Sequence, residues 1–167
     1  MNYKIKLNFI KAFIFDVDGV LTDGKILLKK NVMCRSMNTK DGIAIRFAIK
    51  QGFLVGIITG GKDSSVAKRL KSLDIKDVYL NSHNKIIDYK HFIKKYNLKN
   101  EQILYMGDDL PDYEVMIRVG VSSCPLDSSP EIRIISDYIS NFKGGEGCVR
   151  DIIEQTLKVQ SKWWFNS

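Results

Sequence analysis

Phe15-Asp16-Val17-Asp18-Gly19-Val20-Leu21-Thr22-Asp23-Gly24 decides the reading of this 167-residue chain. An apolar run from Ala12 to Phe15 ends in two aspartates one residue apart, and a glycine follows. The pattern predicts the carboxyl end of a buried strand opening into a loop, the place where open α/β sheets put their ligands. Two carboxylates this close at the mouth of an apolar strand repel each other and lose hydration, a cost that a divalent cation would relieve. One carboxylate could then attack an electrophile while the other handles protons. An Asp-Gly turn in which Asp18 holds backbone N–H groups would produce the same local pattern, so the decision rests on the remainder of the chain.

Working outward, strand and helix signals alternate. Lys11–Phe15 reads as a strand, and Lys25–Leu28 with Met33–Met37 as a hairpin around Lys29-Lys30-Asn31. Asp41 is expected to cap a helix that carries Ile43, Ile45, Phe47, Ala48 and Ile49 and stops at Gly52. Leu54–Ile58 is a second all-apolar strand ending at Thr59-Gly60-Gly61. Ser64 or Ser65 starts the next helix, with Val66, Leu70 and Leu73 on one face. Val78–Leu80 is a short strand, Lys85–Tyr96 a helix with Ile86, Ile87, Phe92 and Ile93 inward, and Ile103–Met106 a third buried strand ending at Gly107-Asp108-Asp109. Pro111 sits in a first helical turn continued by Tyr113–Val119. Gly120–Cys124 and Tyr138–Ser140 follow as strands, and Val149–Trp163 as a closing helix. Strands apolar throughout and separated by helices predict a parallel sheet covered on both faces: one Rossmann-like three-layer α/β/α domain spanning 1–167.

The composition bounds the functions. With 20 Lys and 6 Arg the chain carries a formal charge of +7, but the excess is scattered lysine beside 21 Ile and 10 Asn. No clustered arginine with interleaved aromatics appears, so a nucleic-acid partner is not expected; an anionic small substrate suits the charge. Cys34, Cys124 and Cys148 form no Cys-x-x-Cys pair, which argues for a reducing compartment. No segment has the length of a membrane span and no signal peptide is evident, so a cytoplasmic location without a membrane partner is expected.

In a parallel sheet the carboxyl ends of the strands share one edge, so Asp16 and Asp18, Thr59, and Asp108 and Asp109 converge although they are far apart in sequence. Each has a plainer reading: Thr59 and Asp108-Asp109 as helix caps, Lys85 as a solvated lysine, although a cation at a helix start opposes the helix dipole. Four such coincidences along one edge point instead to phosphoryl transfer through a covalent aspartyl-phosphate. Asp16 is the candidate nucleophile. Mg2+ bridging Asp16, the backbone carbonyl of Asp18 and Asp108 would offset the charge of a phosphate dianion, oxygen ligands favouring magnesium over zinc. The Asp18 side chain would protonate the leaving alcohol and then activate water. Thr59 offers a hydroxyl and strand-end N–H, and Lys85 a positive charge.

These segments, Asp-Val-Asp-Gly-Val-Leu-Thr, Thr59-Gly60, Lys85 and Gly-Asp-Asp-Leu-Pro-Asp (107–112), resemble in order the four motifs of the haloacid dehalogenase superfamily. Members of that superfamily usually carry a cap domain, and here the spacing from Asp16 to Thr59 leaves room only for a hairpin flap (about 24–38) and one helix. Between Thr59 and Lys85 only a helix and a strand fit. No cap domain is therefore expected, and such a site either accepts a macromolecule or is closed by a neighbouring subunit.

Asn38-Thr39-Lys40-Asp41-Gly42 with Arg46, Asn84-Lys85, Gly107-Asp108-Asp109, and Gly144-Gly145-Glu146-Gly147 with Val149-Arg150 resemble the 3-deoxy-D-manno-octulosonate 8-phosphate phosphatases. The resemblance implies a capless, Mg2+-dependent enzyme that makes the inner sugar of lipopolysaccharide and forms homotetramers in which the hairpins meet. It implies that Asn38, Thr39, Lys40, Asp41, Gly42 and Arg46 form a substrate loop, that Gly60 contacts substrate, and that Arg69 faces the phosphosugar, often from the adjoining subunit. A substrate with both phosphate and carboxylate wants two cationic sites, which Lys85 and Arg46 or Arg69 would supply; a solvated helix face is the plainer reading of both arginines. One departure stands out. Many members have Thr-Gly-Arg-Lys where this chain has Thr59-Gly60-Gly61-Lys62, so a guanidinium is missing beside the site and the nine-carbon ketodeoxy sugar acid phosphates remain an alternative substrate class. A capless macromolecular phosphatase and a non-enzymatic assembly module are the other readings. Finally, Trp163-Trp164-Phe165 is an unusual chain end: it either packs on its own subunit or, as a tail over 162–167, covers a neighbour's site.

Overall fold

The computed structural model describes residues 2–30 and 32–164. Six parallel strands form the central sheet: β1 (Ala12–Phe15), β4 (Leu54–Ile58), β5 (Asp77–Tyr79), β6 (Ile103–Met106), β7 (Val121–Cys124) and β8 (Tyr138–Ile139), in the order β5-β4-β1-β6-β7-β8. Phe13 pairs with Val55 on one side and with Leu104 on the other, so β1 lies mid-sheet. The chain winds from β1 to one side, then returns to build the other, which makes the carboxyl end of β1 the point where the winding reverses and a crevice must open. A two-stranded antiparallel hairpin, β2 (Leu27–Lys29) and β3 (Val32–Cys34), leaves the sheet after β1.

Period-two alternation along β1 feeds two cores. Phe13 and Phe15 face a layer with Leu7, Ile45, Phe53, Leu70, Ile152 and Leu157, whereas Ala12 and Ile14 face Phe92, Tyr105, Val115 and Ile132. The first layer is covered by α2 (Thr39–Lys50), α3 (Ser64–Lys71) and α7 (Cys148–Val159), the second by α4 (Lys85–Lys95), α5 (Tyr113–Met116) and α6 (Pro130–Ile135). No described helix is long and apolar enough to cross a membrane.

Local chemistry adjusts several expectations. Asn38, not Asp41, caps α2, its side chain accepting the N–H of Lys40, and Asp41 is buried in the first turn. Asp63 rather than a serine caps α3 by accepting the N–H of Ser65. Ile87 is 62% exposed: the inward face of α4 is Ile86, Tyr89 and Phe92, at helical spacing. The hairpin strands are shorter than expected, β1 begins at Ala12, and α7 stops at Val159. The short helices Tyr3–Lys6 and Pro130–Ile135 carry too few periodic residues to stand out in sequence. At the chain end, Trp164 stacks on Phe47 with centroids 3.8 Å apart and Trp163 meets the same ring edge-on at 5.3 Å. Both tryptophans thus pack on their own subunit, at the last turns of α2; Phe165 lies outside the described residues.

Candidate active site

Asp16 follows the last residue of β1, its N–H donating to Met106 O on β6. This places its carboxylate in the crevice, 7% exposed. Lys85 opens α4 beneath it, with Nζ 2.9 Å from Asp16 Oδ2 and 2.7 Å from Asp112 Oδ1. Asp112 is itself held by the Tyr105 hydroxyl and by the N–H of Asp108 at 3.1 Å. Oxygens of Asp16, Asp108 and Asp112 lie within 4.8 Å of one another. Gly19, at φ +89°, has to be glycine: a Cβ there would sit 2.0 Å from Asp108 Oδ2, so the β1 loop and the β6 loop close directly on each other.

Three carboxylates share one ammonium, and the electrostatics register the imbalance. Burial pushes the Asp16 carboxyl up to about 7, the charge of Asp112 adding to the effect and Lys85 opposing it. Burial likewise pushes Asp108 up to about 8, reinforced by Asp16 and Asp112. Burial works against the charge of Lys85, but Asp16 and Asp112 outweigh it and hold the amine above its ordinary value. Asp16 Oδ1 is buried and has no hydrogen-bond partner. An orphaned carboxylate oxygen among crowded acids is what a hard divalent cation satisfies, so the donor set fits magnesium.

The expected residues sort into groups. Asp16, Asp18, Thr59, Gly60 and Asp108 lie at the carboxyl edge of β1, β4 and β6 or on the loops leaving it, and Lys85 joins them from the first turn of α4, after β5. Thr59 is buried and its Oγ1 accepts the N–H of Gly61, leaving its own proton free to donate. Thr39 and Arg69 line a groove of about 350 Å³ together with Arg35, Met37, Ser65 and Val66. Asn38 and Lys40 line a different one, about 470 Å³, with Phe142, Glu146 and Arg150. The expected substrate loop at 38–42 is the cap and first turn of α2; Asp41 is 1% exposed there, and its Oδ1 accepts the N–H of Arg150 at 2.8 Å, tying that turn to α7. Gly42 is buried against Leu73 and the Arg69 guanidinium. Arg46 pairs with Asp74 at 3.4 Å, beside the cleft at the amino ends of β4 and β5. Seven residues beyond Thr39, at about 1.5 Å of rise each, it is carried down α2 towards the edge opposite this subunit's crevice.

Two further side chains of the site had no role assigned from the sequence. Asp112 closes the Gly-Asp-Asp-Leu-Pro-Asp segment, and only the fold turns it onto Lys85. Arg35, at the end of the hairpin, donates from Nε to Asp18 Oδ1 at 2.6 Å and from Nη2 to Asp18 Oδ2 at 3.1 Å, while Nη1 reaches Asp63 at 3.3 Å. The one available signal was the glycine at 61.

A strand-end aspartate pair, a strand-end threonine, a buried lysine and an acidic loop, set on a Rossmann-like sheet with no cap inserted among the described residues, define the class: a haloacid dehalogenase-like phosphotransfer site. The family of haloacid dehalogenase-like hydrolases matches residues 77–152. The 3-deoxy-D-manno-octulosonate 8-phosphate phosphatase of Salmonella typhi is 37% identical over 158 residues, covering 94% of this chain and 84% of that protein. The Yersinia pestis enzyme of the same name is 34% identical over 154 residues. The Moraxella catarrhalis phosphatase of that name, solved with a magnesium ion, a phosphate ion and a KDO molecule, superposes with a TM-score of 0.93 at 31% identity, covering 96% of this chain and 94% of that one. This chain belongs to the 3-deoxy-D-manno-octulosonate 8-phosphate phosphatase family of haloacid dehalogenase-like hydrolases.

Proposed function

We propose that the protein hydrolyses 3-deoxy-D-manno-octulosonate 8-phosphate to the free sugar acid and phosphate, with Mg2+ as cofactor, in the cytoplasmic synthesis of the inner lipopolysaccharide sugar. The observation that carries the chemistry is Asp16: buried at a strand end, paired to Lys85 on one oxygen and orphaned on the other. Its carboxylate attacks phosphorus, and the bond from phosphorus to the sugar oxygen breaks as Asp18 gives that oxygen a proton. Asp18 then takes a proton from a water molecule that attacks the aspartyl-phosphate, releasing phosphate and restoring Asp16. Asp16 and Asp108, with the backbone carbonyl of Asp18, would hold Mg2+, which would supply the positive charge that lets a carboxylate approach a phosphate. Thr59 and the N–H of Gly60 donate to the phosphate oxygens, and Lys85 adds its charge. Asp112 positions Lys85.

Around this centre, Thr39 and Arg69 share a groove that suits the sugar acid, and Asn38 and Lys40 shape the neighbouring loop. Asp41 and Gly42 serve by ordering that loop from beneath. Arg46, exposed at the far part of α2, is placed to serve a neighbouring subunit rather than this crevice. The hairpin carries Ile26, Leu27, Leu28 and Met33 at 43%, 57%, 77% and 45% exposure. Such an apolar ribbon favours burial against copies of itself, in line with a homotetramer whose neighbours close each site.

The test is phosphate release with Mg2+, offering the eight-carbon 8-phosphate and a nine-carbon ketodeoxy 9-phosphate side by side, with Asp16→Asn as control. Preference for the eight-carbon substrate, abolished in the variant, is expected. Preference for the nine-carbon acid would move the protein to another pathway.

A further inference from the structure

The sequence leaves the strand-end loop without a guanidinium, yet the folded site contains one. Arg35 reaches in from the hairpin with its side chain only 7% exposed and grips both oxygens of Asp18, with Asp63 holding its third nitrogen. A fork of this kind fixes a carboxylate in plane and direction, which a single ammonium does not. Lys62, the other cation at hand, is exposed and forms no ion pair among the described residues.

Gly61 explains how the arrangement fits. Its backbone does not demand glycine, because it is not among the positive-φ residues. A Cβ added there would make ordinary contacts, 3.5 Å from Thr59 Oγ1, 3.8 Å from Asp18 Oδ2 and 3.9 Å from Arg35 Nη2. The neighbours of the missing side chain are therefore the ion pair itself. A long side chain starting at 61 would enter the space that the Arg35 guanidinium fills.

We propose that Arg35 is the positioning residue for Asp18, delivered by the hairpin, and that Gly61 is small so that this guanidinium can lie over the strand-end loop. The inference rests on the phosphatase reading for its effect on rate, but not for the ion pair. Arg35 holds Asp18 in the crevice between turnovers. A fork on both oxygens holds Asp18 as the carboxylate. The guanidinium therefore has to leave one oxygen, and that oxygen has to take up a proton from solvent, before Asp18 can pass it to the leaving oxygen. The proton later taken from the attacking water returns to solvent as the fork re-forms. The anionic substrate gives Arg35 somewhere to go.

The test is a double-substitution cycle on positions 35 and 61. Arg35→Ala should lower kcat about 10- to 100-fold with a smaller change in KM, since a misaimed proton donor slows the step more than binding. Gly61→Arg alone should also slow the enzyme, by setting two guanidinium groups on one carboxylate. The double variant R35A/G61R should be faster than either, an interaction that a merely structural role for Arg35 does not produce. Additive losses, or Arg35→Ala within twofold of the parent, would overturn the proposal. If Arg35→Ala does not fold, Arg35→Gln takes its place in the cycle. Urea unfolding of Arg35→Ala, Asp18→Ala and the double variant reads the pair without substrate. Non-additive midpoints are expected, and additive ones would overturn the proposal even if the wild-type protein did not turn over the sugar phosphate. Absence of turnover with non-additive unfolding would instead retire only the substrate assignment.

Discussion

Replacing Asp41 by Asn should stabilise this protein at neutral pH and change little in acid. The Asp41 carboxylate is 1% exposed, and only Oδ1 has a partner, the Arg150 N–H; Oδ2 is buried without one. Burial pushes its carboxyl up to about 6 from 3.8, the backbone N–H of Arg150 opposing. A group whose folded value is raised stabilises fully below the unfolded value and loses that contribution as pH climbs through the folded one. At 1.36 kcal/mol per unit, the gap of about two units removes about 3 kcal/mol by neutral pH. Asparagine keeps an oxygen for Arg150 and removes the charge, but leaves an unpartnered amide nitrogen that costs about 1 to 2 kcal/mol. The net gain expected at pH 7.5 is therefore about 1 to 2 kcal/mol, shrinking to nothing or reversing at pH 4, where Asp41 is neutral. Urea unfolding of both proteins at the two pH values measures it, and the other raised acids, Asp16 and Asp108, are common to both and cancel. A difference that is the same at pH 4 and 7.5, or an Asp41→Asn protein less stable at pH 7.5, would refute the reasoning. Turnover should survive, because Asp41 packs between the first turn of α2 and the start of α7 and lines neither groove.

Magnesium should raise the melting temperature more at pH 8 than at pH 6, because Asp16 and Asp108, raised to about 7 and about 8, must lose protons before they bind a cation; Asp108→Asn should abolish the shift. Gly107→Ala should cut kcat about 100-fold while the protein stays folded, since a Cβ there would land 2.3 Å from Asp112 Cγ and displace the carboxylate that orders Lys85; steady-state kinetics and circular dichroism separate the two effects. Leu28→Asp, placed on a hairpin leucine that is 77% exposed, should lower the molar mass measured by light scattering.

Much of this site was legible because its signals are local. A fully apolar strand that stops at a polar residue or a glycine reports its own end, so β1, β4 and β6 and the groups Asp16, Thr59 and Asp108 follow from pattern alone. What escaped depends on distance through space. Asp112 differs in no local way from a helix-start acid; its role comes from Lys85, twenty-seven residues away. Arg35 lies in a hairpin whose direction no periodicity encodes, and only the glycine at 61 hinted that a guanidinium had moved. Arg46 shows the other side of this: adjacency to a motif suggested function, and helical rise carries it down α2 to Asp74, away from its own crevice. The helix caps slipped by one to three residues, as Asn38 and Asp63 each outcompeted a neighbour of similar capping ability.

The central claim is that Asp16 carries the phosphoryl group. Rapid acid quench of a single turnover of 3-deoxy-D-manno-octulosonate 8-phosphate, followed by peptide mass spectrometry, tests it most directly. A phosphate adduct on the peptide containing Asp16, rising and decaying with product release and absent from Asp16→Asn, is the expected result. Phosphate release with no adduct at any time point, or with an adduct on another residue, would contradict it.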